Sequence, residues 1–169
     1  FIEGKLTLTK IDSNSRDIHI PYKSNNLKDN IFVSNKHNII TRMKINNKEL
    51  IIFNIHLAPY KRQNELRNKQ LSYITELANK EISNGNYVII GGDFNMNIKD
   101  LEFNNLNIAL ANKPTSRDLY KSYTINSKTN YYDGFIYSNN IKLISIDVIY
   151  NFMYSDHCPI IAEFEIKEW

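Results

Sequence analysis

Apolar and polar positions alternate in several short runs along the chain, and each run predicts an element. Over residues 5–10, Leu6 and Leu8 alternate with Thr7 and Thr9, which predicts a strand after Gly4. Residues 12–17 are polar and read as a turn, followed by a short extended piece, Ile18-His19-Ile20, before Pro21. His19 points away from its two isoleucine neighbours and reads as a surface histidine. Residues 24–29 form a polar loop without periodicity. Residues 39–45 and 49–57 predict a hairpin turning at Asn46-Asn47. Its second arm is apolar on both faces at Leu50-Ile51-Ile52-Phe53, which predicts a central strand, and it is stopped by Pro59.

Leu71, Ile74, Ala78 and Ile82, widened by Leu66 and Leu77, make a helical stripe over residues 63–83 with a stop at Asn84-Gly85. A buried strand follows at residues 87–90 and is expected to end where Gly91-Gly92 turns. Residues 100–127 are irregular, with a short helical turn near Leu101 and a loop over residues 113–118. Strand character returns at residues 131–138 and 142–150. It ends in a run where Ile160, Ala162, Phe164 and Ile166 alternate with Ile161, Glu163, Glu165 and Lys167. Strands alternating with a helix predict a layered α/β fold, and no internal repeat divides residues 1–169, which are read as one domain.

Composition adds little to this picture. With 42% hydrophobic and 23% charged residues, the chain has the balance of a globular protein. No stretch approaches the ~18 apolar residues of a membrane span. The single Cys158 excludes a disulfide within the chain and leaves the compartment undefined. A net charge of +3 mildly favours an anionic partner. The chain opens on Phe1 and is read as the remaining part of a longer protein.

Chemistry gathers at predicted strand ends. His56 precedes Pro59, and Asp93 and Asn95 follow Gly91-Gly92. Asp133 sits in Tyr132-Asp133-Gly134-Phe135, and Asp156-His157 stand just before the last strand. A carboxylate can hold a hard cation while an imidazole moves a proton, so an adjacent Asp and His suit hydrolysis. Asp133 needs a partner if buried, and His157 is the natural one. Each residue also has a plain structural reading: turn formers at Asp93 and Asn95, a hydrogen-bonded histidine at His56.

These four motifs, in this order, resemble the endonuclease/exonuclease/phosphatase superfamily, which includes DNase I, abasic-site endonucleases, neutral sphingomyelinases and inositol-polyphosphate phosphatases. The resemblance implies a four-layered α/β/β/α sandwich, DNase I-like, with its N-terminal part missing. It implies catalytic roles for His56, Asp93, Asn95, Asp133 and His157, with phosphate contacts from Asn95 and Arg117. It further implies Asp156 and Asp93 as ligands of Mg²⁺, Mn²⁺ or Ca²⁺. The expected activity is metal-dependent hydrolysis of a phosphoric ester, phosphodiesterase or nuclease in type. A catalytically inactive binding module and a phosphatase of lipid headgroups or phosphoinositides are the alternatives, so nucleic acid and phospholipid headgroup both stand as partners. The family's N-terminal Asn and metal-binding Glu have no counterpart in this sequence. Residues 1–169 are therefore expected to need that missing segment and to be inactive alone.

Overall fold

The computed structural model describes residues 9–10, 12–18, 38–117 and 131–166. The strand read at residues 5–10 falls largely outside them, as do His19 and the loop at residues 24–29. The chain divides into two compact units, Phe1–Asn95 and Met96–Trp169.

In the first unit β1 (Ser13–Ile18), β2 (Asn38–Ile45), β3 (Lys48–His56) and β4 (Tyr87–Asp93) lie side by side in that order. The β2–β3 hairpin closes at Asn46-Asn47 as its composition predicts, and Asn46 takes the positive φ of 55° that Asn tolerates. β3 pairs parallel with β4, so the connection must cross over, and helix α1 (Asn64–Ser83) makes that crossing. Ile51, Phe53 and Ile55 of β3 and Val88 and Ile90 of β4 are buried, as are Leu66, Leu71, Ile74 and Ala78 on α1. Each fully buried Ile or Phe contributes about 1.5–3 kcal/mol relative to exposure, which is why this stripe decides where the helix lies.

The helix ends as Asn84-Gly85 predicts: Gly85, at φ 80°, donates to Ile82 O at 2.9 Å and Asn86 to Glu81 O at 3.1 Å. Arg42 of β2 bridges Glu49 (2.8 Å) and Glu81, while Asn86 accepts from Glu49 N at 3.1 Å and donates to Glu81 at 2.9 Å. The helix C-terminus is thereby tied to the hairpin.

Two expectations need correction here. Residues 13–17, expected as part of a turn, form a strand together with Ile18. β1 is the outermost strand of this sheet among the described residues and, apart from Ile18, exposed, so it shows no apolar alternation, and Ser15 meets Thr41 hydroxyl to hydroxyl at 2.9 Å. β4 also runs through Gly91-Gly92 to Asp93 without turning.

The second unit begins with a 3₁₀ turn at Ile98–Asp100, near the helical turn expected at Leu101. β5 (Leu106–Ala109), unpredicted from sequence, pairs antiparallel with β6 (Asp133–Ser138). β7 (Ile141–Val148) and β8 (Ile160–Ile166) form a second antiparallel pair. The two pairs face each other: Phe164 of β8 packs on Phe135 (5.7 Å between ring centres) and Tyr137 (5.3 Å) of β6. Ala111, Val148 and Cys158 form a buried cluster against which Ile146 and Phe152 pack. Among the described residues, no helix is long and apolar enough to cross a membrane.

Candidate active site

In the first unit the parallel register sets His56 directly opposite Asp93 at the ends of β3 and β4. His56 Nε2 lies 3.5 Å from Asp93 Oδ2, an ion-pair distance if the imidazole is protonated. Beyond Asp93 the chain bends through Asn95, at φ 51°. The bend lets Asn95 donate its backbone N–H to Asp93 Oδ1 at 2.8 Å and its side-chain amide to Asp93 Oδ2 at 3.2 Å. The same amide donates to Leu57 O at 3.0 Å, and Leu57 N donates to Asp93 O at 2.9 Å. Asp93 and Asn95 do share a side, through a bend rather than by strand alternation. Both amide hydrogens of Asn95 are engaged within the protein.

Three buried polar side chains that sequence reading did not single out hold this segment. Asn38 accepts from His56 N at 3.0 Å, Gln70 accepts from Ala58 N at 2.9 Å, and Arg67 donates to Ala58 O and Asn64 Oδ1. All three are under 5% exposed. A buried polar group without a partner is costly, so each is spent on a strand-end group that has left the β ladder. The signal was present: Arg67 and Gln70 share the buried side of α1 with Leu66, Leu71 and Ile74, where a polar residue is out of place.

In the second unit Asp133 opens β6, and its Oδ2 lies 2.8 Å from His157 Nδ1. The Thr115 hydroxyl donates to the same carboxylate oxygen. Residues 115–117 run antiparallel to residues 156–158. Ser116 pairs with His157, Arg117 N donates to Asp156 O at 2.7 Å, and Cys158 N donates to Thr115 O at 2.8 Å. One short ladder thus delivers both Thr115 and His157 to Asp133. A carboxylate on Nδ1 selects the tautomer that leaves Nε2 as acceptor, the arrangement a general base requires. The partnership of Asp133 with His157 is the one the sequence pointed to; Thr115 was missed because it lies in a loop read only as polar.

Asp156 and His157 diverge, as neighbours in extended chain must. The Asp156 carboxylate is exposed and takes no hydrogen bond among the described residues. Arg117 is exposed and donates through Nη2 to the carbonyls of Phe152 (2.7 Å) and Ser155 (3.4 Å), with its guanidinium 5.7 Å from the Phe152 ring centre. It braces the loop leading to Asp156. Asp93 in the first unit and Asp156 in the second each offer hard carboxylate oxygens, the donor type that suits Mg²⁺, Mn²⁺ or Ca²⁺, and the one thiol, Cys158, is buried in a core cluster.

A family model described as "Endonuclease/Exonuclease/phosphatase family 2" matches residues 9–137, well over half the chain, taking in His56, Asp93, Asn95 and Asp133. The chain belongs to the endonuclease/exonuclease/phosphatase family. This is a family of phosphoric-ester hydrolases, and the match ends ahead of Asp156 and His157.

Solved structures of other proteins resemble the chain. Truncated Caenorhabditis elegans TDP2 is 17% identical with a TM-score of 0.61, the alignment covering 87% of this chain and 63% of that one. D. rerio TDP2 complexed with single strand DNA product is 17% identical (TM-score 0.65; 90% and 67% covered). The human Nocturnin catalytic domain with bound sulfate anion is 19% identical (TM-score 0.64; 91% and 59% covered). The chain spans about two-thirds or less of the length of the C. elegans and human structures. At these identities the likeness establishes an α/β, DNase I-like fold. No curated protein matches the sequence.

Proposed function

We propose that this member of the family takes part in metal-dependent hydrolysis of a phosphodiester, with nucleic acid as the substrate class. The observation that carries the reading is the Asp133–His157 contact of 2.8 Å, supported on the same oxygen by Thr115. A histidine held this way serves proton transfer or stabilises charge on the phosphorane-like transition state. Asp93 orients and deprotonates the attacking water, and His56 acts beside it on the phosphate or leaving group. Asn95 exchanges its 3.2 Å bond to Asp93 for one to a phosphate oxygen. Arg117 is the further candidate for phosphate contact. Asp93 in the first unit and Asp156 in the second are each candidate ligands of a hard cation, which when bound would neutralise charge on the phosphate oxygens. Nucleic acid is favoured over a lipid headgroup by the structural likeness to a TDP2 complexed with single strand DNA product and by the net charge of +3.

The reading is tested on the full-length polypeptide with bis(p-nitrophenyl) phosphate and a labelled oligonucleotide, with Mg²⁺ and with chelator. Asp93→Ala and His157→Ala are each expected to lose at least ~100-fold in turnover, the scale of lost general acid–base help. Near-normal turnover in either variant ends the assignment. Residues 1–169 alone are expected to be inactive, and robust Mg²⁺-dependent hydrolysis by them would contradict the need for an upstream Asn and Glu. A full-length protein that binds no Mg²⁺ and cleaves neither ester would be a binding module of the same fold.

A further inference from the structure

Just ahead of Ser155-Asp156-His157 the second unit exposes Ile149, Tyr150, Met153 and Tyr154, four of the seven large apolar side chains exposed among the described residues. Met153 is 75% exposed and Tyr154 88%. The segment is held at several points. Ile149 N donates to Pro159 O at 3.0 Å, and Met153 N to Asn151 Oδ1 at 2.9 Å. Arg117 grips the carbonyls of Phe152 and Ser155, and the Phe152 ring packs on the buried Ala111–Val148–Cys158 cluster. Tyr150 OH lies 3.5 Å from Pro114 O, with Lys113 Nζ 5.4 Å over its ring. Phe152 is the inward anchor, and Met153 and Tyr154 are left outward on a braced loop. Tyr154 stands three residues from His157, a span of at most about 11 Å of extended chain.

The occupant must offer a flat apolar face to Tyr154 and Met153, negative charge to Lys113 and Arg117, and a phosphoester to His157. Single-stranded nucleic acid combines all three, because each unpaired base has a free π face and a phosphate beside it. An anionic membrane surface fits less well. Such recognition uses clusters of about 4–8 basic residues, whereas here the exposed segment is flanked in sequence by the exposed carboxylates Asp147 and Asp156, with Lys113 and Arg117 as the cations against it.

We propose that Met153 and Tyr154 form a stacking rim for a base of single-stranded nucleic acid, whose backbone phosphate is drawn by Lys113 and Arg117 toward His157. The assignment deepens the phosphodiesterase reading and rests on it for the role of His157. Binding is measured in chelator, so that no turnover is needed, with a single-stranded oligonucleotide carrying 2-aminopurine. The full-length protein is expected to quench the probe. Tyr154→Ala is expected to weaken binding about tenfold, the scale of one base stacked on an aromatic ring, and Tyr154→Trp to restore it. An abasic spacer in the oligonucleotide should weaken wild-type binding similarly and add little in Tyr154→Ala. An unchanged dissociation constant in Tyr154→Ala, with fold intact by circular dichroism, overturns the proposal. So does Tyr154-dependent flotation with phosphatidylserine vesicles without oligonucleotide binding. Loss of the hydrolase reading would appear separately, as normal turnover in His157→Ala while Tyr154-dependent binding persists.

Discussion

Replacing Gly92 by Ala probes how the first unit holds His56 and Asp93 together. Gly92 has a φ of 141°, where an L side chain is strained by about 1–3 kcal/mol. A Cβ built there would stand 2.0 Å from Ile55 O, against 3.4–4 Å for ordinary contact. The obstacle is backbone, so no rotamer change relieves it; β3 and β4 must part by more than 1 Å where Ile55 faces Gly92. That separation loosens the parallel ladder beside His56 and Asp93, at about 1 kcal/mol per hydrogen bond lost. Together these effects amount to ~3–5 kcal/mol, a large share of the 5–15 kcal/mol that holds a typical domain folded. Urea denaturation followed by circular dichroism measures the loss, and amide exchange over residues 50–57 and 87–93 locates it. A Gly92→Ala protein within ~0.5 kcal/mol of wild type, with unchanged exchange there, would refute the steric account.

Three further outcomes are expected. Thr115→Val keeps the side-chain volume and removes the hydroxyl on Asp133. It should cost ~1.5–3 kcal/mol in denaturant melts, the worth of a hydrogen bond to a carboxylate, whereas Thr115→Ser should restore the stability. Burial pushes the Glu81 carboxyl up, but hydrogen bonds from Arg42 and Asn86 outweigh it and hold its pKa below the ordinary 4.5. Its stabilisation is therefore present above about pH 4.5 and lost as pH falls through the lower folded value. Glu81→Gln should cost ~1–2 kcal/mol at neutral pH, between an exposed and a buried ion pair, and the difference from wild type should shrink in melts at progressively lower pH. Gln70→Leu leaves Ala58 N without its buried acceptor and should cost ~1–3 kcal/mol by the same assay.

The elements visible in the sequence are those whose own residues carry a burial period. α1 and β8 repeat an apolar position every three to four or two residues, β3 and β4 carry short continuous apolar runs, and the structure places these elements within a few residues of the expected ends. β1 and β5 carry no such mark. β1 is polar and held by backbone pairing to β2, and β5 is four residues long, so the information that makes each a strand lies in its partner. The same division runs through the site. His56, Asp93 and Asn95 group in the first unit, and Asp133 and His157 in the second, because strand ends place them and strands are readable. Of their supports, Asn38 and Thr115 have no period to betray them, and Arg67 and Gln70 show only as polar exceptions on the buried stripe of α1.

Those supports nevertheless obey an accounting rule. A strand that ends inside the protein leaves N–H and C=O groups without ladder partners, and burial forbids water from serving all of them. The chain must therefore bring buried side-chain donors and acceptors to its strand ends. His56 N, Ala58 N and Ala58 O are satisfied in just this way, by residues 18, 12 and 9 positions distant in sequence. A polar residue on an otherwise buried stripe, such as Arg67 or Gln70, is thus evidence that a strand end lies opposite. Searching the apolar faces of a new sequence for such exceptions locates the supports of a site that motif order alone leaves unseen.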